Sequence, residues 1–193
     1  MSFKHAIIIF GLLMAAGIGT HISVRDGNYP VAIVNFGIIT AKSVDEDFSA
    51  AYRYFQNAML VSGSDPSTLD TPESKREIRR ATLDKLITDL FVYNELKVRL
   101  GVEFQAIAEK NIEQFLKINS NIEEGAKKLY GLDILGFKRR VLQPQAYKEI
   151  LEGRMFLANE KFDDWLKDRR AQASVIILTP DLQWKDGEVK LRG

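Results

Sequence analysis

Residues 30–40 read PVAIVNFGIIT, and the rest of the chain is organised around them. Val31, Ile33 and Val34 are β-branched, Asn35-Phe36-Gly37 has the composition of a tight turn, and Gly37 supplies the freedom such a turn needs. Thr40 then stands where a helix cap is wanted. The stretch is therefore expected to be strand, turn and helix entry in succession. A single strand exposes a row of backbone donors and acceptors, so it needs a partner. Ala173–Leu178 (ASVIIL), closed by Thr179-Pro180, is the other strand-like run of matching character, and the two are expected to pair.

Between them the pattern is helical. Val44, Phe48, Ala51, Tyr52, Phe55 and Met59 recur at spacings of three and four, which predicts a helix from Thr40 or Ser43 to about Val61. Asp45, Glu46 and Asp47 would sit in its first turns, where the helix dipole favours negative charge. Ser62–Pro72 reads as a loop, and Thr71 with Pro72 opens a long helix, about Glu73 to Leu100, that Gly101 ends. Shorter helices follow over Phe104–Ile118, Asn121–Tyr130 and Asp133–Leu142. Pro144 kinks the path or restarts it, and one long helix is expected from Gln145 to about Arg170. Leu182–Leu191 (LQWKDGEVKL) is a hairpin candidate around Asp186-Gly187, with Lys185 facing Glu188 and Trp184 facing Val189.

Ahead of the organising stretch, Lys4 precedes the apolar run Ala6–Thr20 (AIIIFGLLMAAGIGT). Read narrowly, it matches a signal-peptide core with small residues Gly17 and Gly19 at a cleavage pattern. Extended through Val24, it approaches the roughly 20 residues a spanning helix needs. The longer count favours an uncleaved anchor over residues 6–24 with the soluble part on the extracytoplasmic side; the alternative is secretion after cleavage. The expected organisation is a signal or anchor over 1–25, a helical domain over 26–180 and a tail over 181–193.

Composition excludes several classes. Lys and Arg total 27 against 26 Asp and Glu, so no overall field draws nucleic acid. With 0 Cys and 2 His, both histidines (His5 and His21) flanking or inside the apolar run, thiolate catalysis, a Ser-His-Asp triad and a histidine metal site cannot be assembled in the soluble part. The Asp45-Glu46-Asp47 cluster lacks the glycine-punctuated spacing of a calcium loop. No catalytic residue, cofactor or metal is expected.

Several spellings, in order, resemble the N-terminal chaperone domain of the SurA, PrsA and PpiD group of extracytoplasmic folding factors. VAIVNFGIIT (31–40) is similar to that family's strand-turn-helix opening, and LDKLITDLFVYNELKVRLGV (83–102) to its long helix ending in Gly and an aliphatic residue. LYGLDILGFKRRVLQP (129–144) and WLKDRRAQASVIIL (165–178) resemble its later helical segment and its closing helix and strand. The glycine is displaced: Phe36 stands where the family has Gly, and Gly37 follows. The chain also leaves no room for the parvulin-type prolyl isomerase domain that many members insert before the closing segment. The resemblance implies a mainly α, multi-helix domain clasped by a small antiparallel strand pair, attached to an N-terminal membrane helix.

Its implied function is that of an ATP-independent holdase for unfolded, exported polypeptides. Aromatic and aliphatic side chains of a shared groove are the expected client contacts: Phe48, Tyr52, Phe55, Met59, Leu90, Phe91, Phe104 and Phe115. The alternatives are an envelope scaffold binding one fixed partner, including a homodimer that exchanges Ala173–Leu178, and, further off, a prolyl isomerase.

Overall fold

The computed structural model describes residues 26–35 and 37–192. The expected membrane segment, residues 6–24, lies outside them, and among the described residues no helix is long and apolar enough to cross a membrane. The described chain is mainly helical, with two small antiparallel sheets.

β1 (Pro30–Val34) is paired on both sides. Ala32, Ile33 and Val34 align antiparallel with Ile177, Ile176 and Val175 of β3 (Val175–Ile177), so the long-range strand pair forms within one chain. The other neighbour corrects the expected helix entry. Gly37–Thr40 is a strand, β2, and Val34 faces Gly37 across the two-residue connection Asn35-Phe36. Ile38 and Ile39 alternate out and in, which is period two, and the helix begins only after Thr40. The turn freedom comes from Asn35, whose φ is 50°, a left-handed value that Asn tolerates. Gly37 is needed for space instead: a Cβ there would overlap the Leu90 side chain. Asn35 also joins the strands, because its N–H donates to Ser174 O (2.8 Å) while its Oδ1 accepts from Ser174 N (3.1 Å).

α1 (Ala41–Val61) is capped by Thr40, whose hydroxyl accepts from Ser43 N. The early start carries Asp45, Glu46 and Asp47 past the first turn, so their partners are side chains rather than the helix dipole: Arg79 for Asp45, Arg140 for Glu46 and Asp47. α2 (Pro72–Leu100) runs 29 residues, about 44 Å at 1.5 Å per residue. Thr71 caps it, and Gly101 at φ 64° ends it. α3 (Glu103–Ile118), α4 (Ile122–Tyr130) and α5 (Ile134–Phe137) follow.

α5 passes through a π-helical turn, Lys138–Leu142, into α6 (Gln143–Leu157). Pro144 has no N–H to offer, and its ring would press on the Arg140 carbonyl of a regular helix. The widened turn, in which Gln143 N–H donates to Lys138 O, lets the helix continue past it. The single long helix expected beyond Pro144 is two. α6 closes in a Schellman motif, with Asn159 at φ 56°, its N–H on Phe156 O and Glu160 N–H on Met155 O. α7 (Phe162–Gln172) starts afresh and delivers β3. Asn159 in the role usually filled by Gly is why the break is faint in the sequence.

Two cores share α2. Its middle turns pack Leu83, Ile87 and Phe91 against Ala32, Val34, Ile39 and Ile177 of the sheet. Its second half packs Val92 and Leu96 against Phe104, Ala108 and Ile112 of α3 and Leu151 and Met155 of α6. Trp165 of α7 touches both. The tail contributes to the first core: β4 (Leu182–Lys185) and β5 (Glu188–Leu191) form the hairpin in the expected register, and Leu182 and Val189 are each 1% exposed. Asp186 (φ 57°) and Gly187 (φ 78°) make the turn.

Asp84 of α2 fixes that docking. Arg170 of α7 donates to both its oxygens (3.0 and 2.8 Å) and to Gly187 O (2.9 Å), and Val189 N–H donates to Asp84 Oδ1 (3.1 Å). Removing one member of so shielded a pair strands the other charge. Arg170→Ala is therefore expected to cost about 3 kcal/mol, and an Arg170→Met, Asp84→Leu double variant to cost less than the single one, as measured by urea unfolding.

Candidate functional site

An apolar-walled groove of about 620 Å³ opens between α1, α2, the π-helical turn with the start of α6, and α7. Ala50, Ala51, Val141, Leu142, Pro144, Phe162 and Leu166 make its walls apolar. The π turn builds one wall, since it widens the helix where Arg140, Val141 and Leu142 face the groove.

The floor is a chain of alternating charge. Arg140, whose side chain is only 11% exposed, donates to Asp47 Oδ1 at 2.8 Å and to Glu46. Lys85 bridges Asp47 (3.4 Å) and Asp89 (2.7 Å). Burial works against the charge on Lys85, but Asp89 and Asp47 outweigh it and hold the ammonium above its ordinary range. Burial likewise opposes the Arg140 charge and is overcome by Asp47 and Glu46. Asp89 goes the other way: burial pushes its carboxyl up, Lys85 pulls it back, and Asp47 adds to the rise. Thr82 and Thr88 are spent on helix carbonyls, Ile78 O and Asp84 O. The groove thus presents apolar surface over a floor of mutually satisfied ion pairs, an arrangement suited to holding a ligand by shape and apolar contact. Among the described residues no cluster of His, Cys, Asp and Glu is placed to hold a metal.

A smaller groove of about 260 Å³ adjoins it, lined by Ile38, Leu86, Leu90, Tyr93 and Tyr147, with Asp89 and Pro144 common to both.

The expected client contacts are not gathered in one place. Leu90 alone among them lines either groove. Phe91 (2% exposed) and Phe104 (0%) lie in the two separate cores, where they hold the fold and offer nothing to a ligand. Phe48 stacks on Tyr52 at 5.8 Å, with the Arg79 guanidinium over the Phe48 ring and Lys75 over Tyr52. The Tyr52 hydroxyl donates to Asp70 (2.6 Å), and Met59 receives the Thr68 hydroxyl, so the 62–71 loop lies along this part of α1. Phe55 and Phe115 are exposed on different helices. Helical periodicity marks a buried face but cannot say which core it enters; the groove residues Val141, Leu142 and Phe162 had one signal, the proline two residues after Leu142.

No known protein family, curated protein or solved structure matches the chain in comparison.

Asp89 gives the site a pH signature. A carboxyl raised in the folded state stabilises the fold below its unfolded pKa and loses that contribution as pH rises through the folded value. Asp89→Asn is therefore expected to gain thermal stability relative to the parent as pH goes from about 4 towards neutrality, read from paired Tm-against-pH series.

Proposed function

We propose that the chain is a membrane-tethered, ATP-independent holdase that binds unfolded, exported polypeptides. The observation carrying this reading is the groove between α1, α2, α6 and α7: apolar walls, open to solvent, over a floor whose charges are already paired. A groove of that kind rewards apolar side chains generally and demands no particular polar partner, which suits clients of unrelated sequence. The resemblance of residues 31–40, 83–102, 129–144 and 165–178 to the SurA, PrsA and PpiD chaperone domain points the same way, and so does the apolar run over 6–24 as a tether. The site contacts in this reading are Val141, Leu142, Phe162 and Leu166 rather than the dispersed aromatics.

The full chain in lipid nanodiscs is expected to delay aggregation of a chemically unfolded test protein at near-stoichiometric ratio, followed by light scattering. Val141→Glu, which puts a charge on the groove wall, weakens the delay, while Leu135→Glu, at a side chain 73% exposed outside the groove, leaves it intact. Absence of any delay at large molar excess overturns the proposal.

A further inference from the structure

We propose that the outer face of the three-stranded sheet lies against the surface of the membrane that holds the chain. The inference rests on residues 6–24 being a membrane tether. The inner sheet face, Ala32, Val34, Ile39 and Ile177, is core. By strand alternation the opposite face carries Ile33, Ile38 and Ile176, which the register sets side by side across the three strands, with Leu178 just beyond. Ile38 is 65% exposed, Ile176 54% and Leu178 51%, and none of the three strands contains a charged residue. Neighbouring aliphatic side chains left in water on an uncharged sheet need a cover.

The path of the chain says what covers them. Gly27 and Tyr29 are pinned to the start of α1, since Lys42 N–H donates to Gly27 O (2.8 Å) and Ala41 N–H to Tyr29 O (3.0 Å). From Val24, the end of the apolar run, to Gly27 is three residues, at most about 10 Å of extended chain. Gly27 is therefore held within about 10 Å of the bilayer surface, and the end of the sheet where Tyr29 enters and Leu178 N–H bonds Val31 O, five residues from Val24, begins within about 17 Å of it. Tyr29, 43% exposed at that edge, is a residue type suited to the headgroup region. Val61, 86% exposed, does not share this position: it ends α1, whose 21 residues carry it about 30 Å from the start of that helix beside Tyr29.

With 0 Cys in the chain, single labels are unambiguous. Ile38→Cys, Ile176→Cys and Val61→Cys variants of the full chain would each carry an environment-sensitive fluorophore and be reconstituted into phosphatidylcholine/phosphatidylglycerol vesicles with and without lipid-borne quencher. Labels at 38 and 176 are expected to shift to the blue and to lose about twofold or more of their intensity to the quencher, as for side chains seated in the interface, while the label at 61 is unaffected. Vesicles that sediment with the chain but leave 38 and 176 unquenched overturn the inference and leave the tether standing. A blue shift without quenching assigns the face to a second copy and also overturns it. A chain that fails to sediment with vesicles removes the tether and the inference together.

Discussion

The bidentate Arg170–Asp84 pair joins what the chain order keeps apart. Two parallel N–H···O bonds fix the angle as well as the distance between α2 and α7. Arg170 also donates to Thr88 Oγ1 at 2.6 Å and lies over the Trp184 ring, and Asp84 reaches the β5 backbone. α7 is thereby held at the orientation from which the next residues enter the sheet as β3. A second junction acts at the other end of α2: Glu95 accepts from Arg99 (2.8 Å) and from Arg169 (2.7 Å), and Arg99 continues to Glu160. Burial would raise the Glu95 carboxyl, but the two guanidiniums hold it below its usual range. Adjacent arginines at 169 and 170 thus tie one helix to two points on α2.

That rigid frame makes the groove a consequence of packing. α1 and α6 both pack on α2, and the π turn that leads into α6 is tied to α1 by the Arg140 pairs with Glu46 and Asp47. Regular helix through residue 144 would conflict with Pro144; the π turn removes the conflict and at the same time brings Arg140 into reach of Asp47. A local backbone defect and a long-range ion pair support one another there. Charges on the floor hold the elements together, and the apolar walls between them remain open.

Much of the architecture was legible in local chemistry. Thr71-Pro72 and Gly101 bound α2 as caps and stops should, Asp186-Gly187 set the hairpin register, and the long-range pairing of Val31–Val34 with the ASVIIL run was readable because few other segments were β-branched. The misreadings have physical reasons. Gly37 has two uses, turn freedom and closeness, and only the packed Leu90 distinguishes them. Asp45-Glu46-Asp47 satisfy a capping pattern, but the partners that claim them, such as Arg140, are about ninety positions on. The expected client contacts are dispersed for a related reason: an aromatic on an amphipathic stripe looks the same whether it fills a core, as Phe104 does, or lies under a lysine, as Tyr52 does.

Closure of the sheet sets the order in which this fold can form. β1 and β2 are a local hairpin available early, but their inner face is completed only when Val175–Ile177 arrives, and the Asn35–Ser174 bond spans 139 positions. Loop closure over that distance is costly and must be met by contacts made beforehand. The helical body can make them, because the buried residues of the second core all come from α2, α3 and α6, which precede β3. A framework of α2, α3 and α6 that forms first would present α7 to Asp84 and Glu95, and those two carboxylates then place the last strand. In that order the sheet is the final element to close, and the arginine pair at 169–170 is the step that lets it.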